Sequence, residues 1–256
     1  MNVTIIQTDP YWEEKTKNFE RIESLISEIR WRTDIVILPE MFSTGFSMQP
    51  EKTGELPASE TFLWMKKLAA SLNSGVCGSY VISENSKFFN RWIFVSPENN
   101  FWSYDKRHLF RMGNEDKSFT AGNKRVIISY RGVRILPNIC YDLRFPVWSR
   151  NINDYDLLIN SANWPLSRKE VWTTLLKARA LENQCFVAGA NRTGTDGAGI
   201  RYCGSSQLIN PRGEILASAE EETESIVSAE ISMSELNDLR KKFPVWMDAD
   251  DFTINL

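Results

Sequence analysis

Short apolar runs recur along the chain, separated by amphipathic stretches, and this alternation limits the possible folds more than any other feature. Several runs are almost wholly apolar, as in strands buried on both faces. They span residues 3–7, 35–38, 76–82, 92–95, 126–129, 133–140, 157–160, 185–190, 205–209 and 225–229. Helical spacing of apolar side chains marks residues 14–30, 59–72, 169–183 and 232–241. Since no repeat or linker divides the 256 residues, we predict one α/β domain, 1–256, with sheet layers covered by helices.

Charge and composition narrow the class of protein. The formal net charge of −3 disfavours nucleic-acid binding, which usually needs a basic face. The N-terminus lacks the basic and apolar segments of a signal peptide, and no apolar run is long enough to cross a bilayer. The four cysteines are widely spaced and form no CxxC pair, which favours reduced thiols. We therefore expect a cytoplasmic protein with no nucleic-acid or membrane partner.

The single histidine, His108, is unusually informative. Any Ser-His-Asp triad or Cys-His dyad would have to use it, and a multi-histidine metal site is excluded. The motifs GxSxG, GxxxxGK[ST] and GxGxxG are also missing. If the chain is an enzyme, its acid–base chemistry falls to carboxylates and lysine.

Three residues with side chains suited to catalysis, a carboxylate, an amine and a thiol, appear where an apolar or extended run ends. Glu40 follows Ile35-Val36-Ile37-Leu38-Pro39, Lys106 follows Trp102-Ser103-Tyr104-Asp105, and Cys140 follows the run that begins at Val133. Strand ends in α/β sheets tend to carry active sites. A carboxylate can take a thiol proton and later protonate a leaving amine, while an ammonium favours a thiolate and can donate to an oxyanion.

Each of these residues also has a structural interpretation when it is considered alone. A glutamate after a strand is usually a solvated turn residue, a lone lysine is usually on the surface, and cysteine is often inert and buried. We interpret Cys77, Cys185 and Cys203 as structural because they lie within apolar or small-residue strands. His108 is interpreted as a hydrogen-bonded loop residue.

Three segments in order resemble motifs of the nitrilase superfamily of carbon–nitrogen hydrolases. The sequences Leu38-Pro39-Glu40-Met41-Phe42, Asp105-Lys106-Arg107-His108-Leu109-Phe110 and Asn138-Ile139-Cys140-Tyr141-Asp142-Leu143-Arg144-Phe145-Pro146 are similar to its glutamate, lysine and cysteine motifs. Residues 178–184 and 204–206 resemble segments that follow the nucleophile in this family. The resemblance covers nearly the whole chain.

This resemblance implies a fold and a set of roles. The fold would be a four-layer α-β-β-α sandwich, commonly found as a homodimer. Glu40 would be the general base, Lys106 the oxyanion and proton donor, and Cys140 the nucleophile. The N–H of Tyr141 would complete the oxyanion hole, and Glu115 would position the lysine or the substrate. No metal and no organic cofactor would be needed.

Other segments look most like the omega-amidase branch of the superfamily. These are residues 40–46, Asn163-Trp164-Pro165 and Phe243-Pro244-Val245-Trp246. That branch hydrolyses the terminal amide of short 2-oxo acid monoamides such as 2-oxoglutaramate and 2-oxosuccinamate. Because such a substrate carries a carboxylate, we expect Arg144 and Arg111 to bind it between apolar walls formed by Phe46 and Trp164. Arg144 could instead brace the turn after the cysteine, and Trp164 could only pack.

Alternatives remain within and outside this class. An amidase or carbamoylase acting on another small C–N substrate would use the same residues, and a true nitrilase fits less well. A non-catalytic binding protein could keep the sandwich, although a disabled relative should lack one of the four catalytic-type residues. A thiol redox protein is disfavoured because no resolving cysteine lies near Cys140 in sequence.

Overall fold

The computed structural model of the protein describes residues 1–254. Its strands are β1 (Asn2–Gln7), β2 (Ile35–Ile37), β3 (Gly75–Glu84), β4 (Lys87–Val95), β5 (Phe101–Asp105), β6 (Ile128–Tyr130), β7 (Val133–Ile139), β8 (Leu157–Ala162), β9 (Phe186–Asn191), β10 (Thr193–Thr195), β11 (Arg201–Cys203), β12 (Gln207–Ile209), β13 (Ile215–Ser218) and β14 (Ser225–Glu230). Its helices are α1 (Lys15–Ser27), α2 (Pro50–Thr53), α3 (Glu60–Leu72), α4 (Glu115–Ser118), α5 (Pro146–Ser149), α6 (Lys169–Asn183) and α7 (Met233–Lys242). None of these helices is long and apolar enough to span a membrane.

Most of the strands form two six-stranded mixed sheets. The first sheet has the order β14-β1-β2-β3-β4-β5, and the second has the order β13-β12-β9-β8-β7-β6. Each contains three adjacent parallel strands, namely β1, β2 and β3 in the first sheet and β7, β8 and β9 in the second. The carboxyl ends of these parallel strands are where a crevice of an α/β fold is expected.

Alternating side chains divide each sheet between two apolar layers, because successive residues of a strand point to opposite faces. In β2, Ile35 and Ile37 belong to the core between the sheets, whereas Val36 faces α1 and α3. In β8, Ile159 lies in the same central core and Leu158 packs with α6. The arrangement confirms the predicted four-layer α-β-β-α sandwich.

The predicted elements were found with shifts at their ends. The strand expected at 133–140 ends at Ile139, because Cys140 begins a 3-10 turn with φ of 43°. The strand expected at 205–209 begins only at Gln207, since Ser205 has a positive φ that a strand cannot contain. We did not predict β10, β11 or β13, which are short and carry many polar or exposed residues.

A polar bridge joins the two sheets beside the strand ends. Ser161 of β8 donates from its hydroxyl to the carbonyl of Leu38, which follows β2, over 2.8 Å. The indole N–H of Trp92 in β4 donates to the same hydroxyl over 3.3 Å. All three side chains are buried, so the bond fixes the segment that leads to Glu40 against the second sheet.

Asp156 anchors the C-terminal helix to the second sheet. Its buried carboxylate accepts hydrogen bonds of 2.7 Å from both Arg134 of β7 and Arg240 of α7. Although burial raises the pKa of Asp156, the hydrogen bonds from Arg134 and Arg240 outweigh it and lower that pKa below its ordinary value. The stabilisation is therefore present above the pKa of an unfolded aspartate and is lost as the pH falls through the lower pKa of the folded state.

We predict that Asp156→Asn lowers the free energy of unfolding by about 3 kcal/mol at pH 7, because it leaves Arg240 buried without its charged partner. Urea denaturation from pH 7 to pH 3 measures this, and the difference from wild type should shrink below about pH 4. Asp154→Asn is the control, since Asp154 pairs with Arg125 where both side chains are partly exposed; that change should cost less than about 1 kcal/mol. Equal costs for both variants would contradict the anchor.

Candidate active site

A buried charge cluster lies where β2 and β5 of the first sheet end. The Nζ of Lys106, directly after β5, lies 2.7 Å from Glu40 Oε1 and 2.9 Å from both carboxylate oxygens of Glu115. All three side chains are completely shielded from solvent. Glu40 follows β2, and Glu115 begins α4. The fold thus brings together three of the four residues for which the sequence predicted catalytic roles.

The cluster holds its charges through mutual pairing. Although burial lowers the pKa of Lys106, the Glu115 and Glu40 carboxylates outweigh it and hold that pKa above its ordinary value. Burial raises the pKa of Glu115, and the ammonium of Lys106 offsets only part of this change. Glu115 also accepts the N–H of Phe110 over 2.6 Å, which leaves its oxygens turned toward the lysine. Glu115 is therefore placed to orient Lys106.

Asn163, the first residue after β8, links Glu40 to the fourth predicted residue, Cys140. Its backbone N–H donates to Glu40 Oε2 over 2.9 Å, and its Nδ2 donates to the backbone carbonyl of Glu40 over 2.7 Å. Its own carbonyl oxygen lies 3.8 Å from the Cys140 Sγ. One backbone unit of Asn163 thus contacts the carboxylate through its N–H and the thiol through its C=O.

Cys140 occupies a strained turn between β7 and the following 3-10 helix. Its φ of 43° is in the left-handed region, which residues other than glycine rarely adopt and which often marks a functional position. Burial raises the pKa of the Cys140 thiol well above its ordinary value, Glu40 raises it further, and Lys106 offsets part of the effect. The resting group at neutral pH is therefore the thiol, so a nucleophilic role requires a base.

Asp142 ties this turn to the segment that carries the lysine. Its buried carboxylate accepts the backbone N–H groups of Ile139 and His108, over 3.0 and 2.9 Å, and the hydroxyl of Tyr104 over 2.8 Å. The Nδ1 of His108 also lies 2.8 Å from the carboxylate. His108 is thus a hydrogen-bonded loop residue, as the sequence predicted, and it braces the site from the side.

A cavity of about 180 Å³ opens beside Cys140. This is smaller than the roughly 300–1,000 Å³ of sites for drug-sized ligands, so the cavity suits a small molecule. Its lining is largely apolar and aromatic, with two arginines and one aspartate among the polar groups. The lining residues are Phe46, Met48, Phe110, Gly113, Cys140, Tyr141, Arg144, Asn163, Trp164, Pro165, Arg168, Asp196, Ala198, Ile200 and Tyr202.

Four of the five predicted substrate-binding residues line this cavity. The guanidinium of Arg144 lies 5.2 Å from the ring centre of Trp164, so the indole supports the cation from one side. Phe46 contacts the charge cluster, with the Lys106 Nζ 5.3 Å from its ring centre. Tyr141 follows Cys140 and also borders the cavity.

Arg111, the fifth predicted residue, does not line the cavity. It begins a 3-10 turn that ends at Asn114 in the left-handed conformation, and its side chain is exposed. The same turn directs Glu115 inward instead. The second guanidinium on the cavity wall belongs to Arg168, 5.2 Å from the ring centre of Phe110.

Sequence reasoning missed Arg168, Asp196, Tyr202 and the site contacts of Asn163. The one available signal for Arg168 was its position four residues after Trp164, whose indole N–H donates to the Arg168 carbonyl over 2.9 Å. Asp196 accepts the Tyr202 hydroxyl over 2.8 Å and two backbone N–H groups. Its carboxylate is therefore already hydrogen-bonded by groups of the protein. The cations on the cavity wall are Arg144 and Arg168.

The remaining cysteines lie in the core, as predicted. Cys77 belongs to β3, Cys203 to β11, and Cys185 directly precedes β9; all three are buried and unpaired. Burial raises the pKa of Cys77 well above its ordinary value and that of Cys185 to about 12. The thiols of Cys77 and Cys185 therefore remain protonated at neutral pH.

Comparison with known proteins agrees with this geometry. The carbon–nitrogen hydrolase family profile matches residues 2–241. The omega-amidase YafV of Escherichia coli K12 is 45% identical over 254 residues, covering 99% of this chain and 98% of that protein. The 2-oxoglutaramate amidase of Bacillus subtilis 168 is 33% identical over 251 residues, covering 96% of each chain.

Solved structures show the same architecture. The crystal structure of XC1258 from Xanthomonas campestris, a CN-hydrolase superfamily protein with an arsenic adduct in its active site, superposes with a TM-score of 0.96 at 37% identity and covers 100% of this chain and 99% of its own. Saccharomyces cerevisiae Nit3, a nitrilase-superfamily member, shares the fold with a TM-score of 0.86 at 24% identity, covering 96% and 94% of the two chains. The chain belongs to the carbon–nitrogen hydrolase family.

Proposed function

We propose that this enzyme is an omega-amidase, which hydrolyses the terminal amide of short 2-oxo acid monoamides to a dicarboxylate and ammonia. The substrates would include 2-oxoglutaramate and 2-oxosuccinamate. The observation that carries the proposal is the position of Cys140. It borders a small cavity with two guanidinium groups, and Asn163 links it to the buried Glu40–Lys106–Glu115 cluster. The names of the relatives from Escherichia coli and Bacillus subtilis support the same reaction.

The first chemical stage is acylation of Cys140. Glu40 takes the thiol proton as the sulfur attacks the amide carbonyl carbon, because the resting thiol has a raised pKa. Each carboxylate oxygen can accept more than one hydrogen bond. Glu40 Oε2 can therefore accept the thiol proton while it also accepts the hydrogen bond from Asn163. The oxyanion receives hydrogen bonds from Lys106 and the Tyr141 N–H. The C–N bond then breaks, Glu40 returns the proton to nitrogen, and ammonia leaves a thioester behind.

The second stage is hydrolysis of the thioester. Glu40, ionised again, takes a proton from a water molecule as its oxygen attacks the acyl carbon. The C–S bond breaks, the thiolate recovers a proton from Glu40, and the carboxylic acid departs. The lysine stays charged throughout because the neighbouring carboxylates raise its pKa. These residues supply the nucleophile, the base and the oxyanion donors for both stages.

The two arginines supply the selectivity. Arg144 and Arg168 lie on the cavity wall, each with its guanidinium near an aromatic ring. Guanidinium forks bind planar carboxylates in bidentate geometry. We infer that they hold the carboxylate of the 2-oxo acid while its distant amide reaches Cys140. Phe46 and Trp164 would confine the short carbon chain between them.

We further propose a homodimer located in the cytoplasm. Val147, Ile152 and Phe252 are all about half exposed or more and line one surface depression, and exposed apolar groups of this kind favour an interface. The location rests on the expected reduced state of the thiols, and all four cysteines are unpaired. A small-molecule amide remains the expected partner of the cavity.

Ammonia release from a panel of small amides tests the proposed reaction. We expect turnover of 2-oxoglutaramate and 2-oxosuccinamate, and much weaker turnover of glutamine, asparagine and an N-carbamoyl amino acid. Cys140→Ala should abolish the activity, because no nucleophile remains, and should leave the fold intact. Turnover confined to the other compounds would exclude the omega-amidase assignment, and full activity of Cys140→Ala would exclude the nucleophile.

Replacement of each cavity arginine tests carboxylate recognition. Arg144→Ala and Arg168→Ala should each lower kcat/KM for 2-oxoglutaramate by about ten- to a hundredfold, since a hydrogen bond to a charged group contributes about 1.5–3 kcal/mol. A neutral amide should lose much less. The matched control is Arg111→Ala, which removes a neighbouring but exposed cation and should leave the ratio between the two substrates unchanged. An equal loss of selectivity in the control would place the carboxylate outside this cavity.

A further inference from the structure

Asn90, in the middle of β4, contacts all three members of the charge cluster. Its Nδ2 donates to Glu40 Oε1 over 2.8 Å and also lies 3.2 Å from Glu115 Oε1. Its backbone carbonyl accepts the N–H of Lys106 over 3.0 Å, one step beyond the last ladder pair of β4 and β5. The side chain is completely buried.

The orientation of the Asn90 amide is set by the two carboxylates. Within residues 1–254 its Oδ1 is buried and has no hydrogen-bond partner, which costs about 1–3 kcal/mol. A flipped amide would turn that oxygen toward Glu40 and Glu115, and oxygen would then face oxygen at about 3 Å. The N–H groups are therefore retained toward the carboxylates at the expense of the other end of the amide. Such an arrangement indicates that the carboxylates require a hydrogen-bond donor at this position.

The charge balance of the cluster explains why a hydrogen-bond donor is required there. One ammonium faces two carboxylates, so Lys106 cannot fully compensate Glu40 and Glu115 by itself. The other titratable group against them is the Cys140 thiol, whose proton passes to Glu40 in the proposed reaction, so Glu40 must begin that reaction without a proton. A neutral N–H donor stabilises ionised carboxylates without adding a positive charge that would hold the base too tightly.

We propose that Asn90 is a positioning residue that donates to the carboxylates of Glu40 and Glu115 and directs Glu40 toward the thiol proton of Cys140. The proposal rests on the proposed roles of Glu40 and Cys140. It extends them by assigning to Asn90 of β4 the side-chain N–H that donates to Glu40, the proposed base. Asn90 lies behind the cluster and does not line the cavity, so its effect reaches the substrate only through Glu40, Glu115 and Lys106.

Alkylation of Cys140 by iodoacetamide tests this inference without any amide substrate. The reaction forms an S–C bond and releases iodide, and the thiol proton passes to Glu40 or to solvent. The modified fraction is read by peptide mass spectrometry, which separates Cys140 from the three buried cysteines. Asn90→Leu is a near-isosteric change that removes the donor from both carboxylates, and loss of a hydrogen bond to the charged form of a carboxylate favours its protonated form. We expect the acidic limb of the alkylation profile to rise by about one pH unit, which lowers the rate on that limb about tenfold.

The control is Asn138→Leu, which removes an equally buried asparagine from β7. Its Nδ2 donates only to Ser149, and its Oδ1 has no partner within residues 1–254. The two variants should therefore lose comparable stability in thermal unfolding, but only Asn90→Leu should move the acidic limb. An unchanged limb in Asn90→Leu, or an equal shift in both variants, would overturn the proposal.

A second variant covers the case in which Asn90→Leu does not fold. Asn90→Asp keeps the shape of the side chain but carries no N–H group and adds a third carboxyl beside two others. Its acidic limb should move upward by at least as much as in Asn90→Leu, and an unchanged limb would again overturn the proposal. Because this measurement needs no turnover, failure of the amide panel would reject the substrate assignment and leave the role of Asn90 to be decided separately.

Discussion

The ion pairs of Lys106 with Glu40 and Glu115 are the constraint on which the rest of the structure depends. Removing charged groups from water costs several kcal/mol per ion, and attraction offsets this only where geometry and further hydrogen bonds are good. The cluster has zero exposure and receives additional donors from Asn90 and Asn163. These two donors come from different sheets. The stacking of one sheet on the other is therefore what makes the buried charges tolerable.

The layering itself could be predicted from the sequence. Strands buried on both faces read as continuous apolar runs, and runs such as 35–37 and 157–159 have side chains in both the central and the outer apolar layers. Glu40, Lys106 and Cys140 were identified because each interrupts such a run and because each lies in a recognisable motif. The fold brings the ends of β2, β5 and β7 together, so the polar residues that follow them share one site. Their catalytic roles remain proposals.

Other parts of the site depend on tertiary geometry that no local pattern contains. Asn90 lies in a strand whose neighbours are Phe89 and Arg91, and a polar residue there reads as solvent-facing. Only the crossing of β4 behind Lys106 reveals its partners. The sequence also could not show which of Arg111 and Arg168 reaches the cavity, since both are basic residues in loops. Arg111 begins a turn that ends at the left-handed Asn114, and it is exposed, whereas Arg168 lies near Phe110 on the cavity wall.

The high pKa of the Cys140 thiol connects this geometry to the way the site would work. A permanent thiolate beside a cavity would react with any electrophile or oxidant that entered. Burial and two nearby carboxylates instead keep the sulfur protonated at rest, and the left-handed turn holds it toward the cavity. In the proposed mechanism the proton moves to Glu40 only as the sulfur attacks, and the developing charge passes from sulfur to the carbonyl oxygen near Lys106. Burial of the protonated sulfur thus slows its reaction with other electrophiles without preventing it, whereas a bound carbonyl group would offer an oxygen near Lys106 to receive the developing charge.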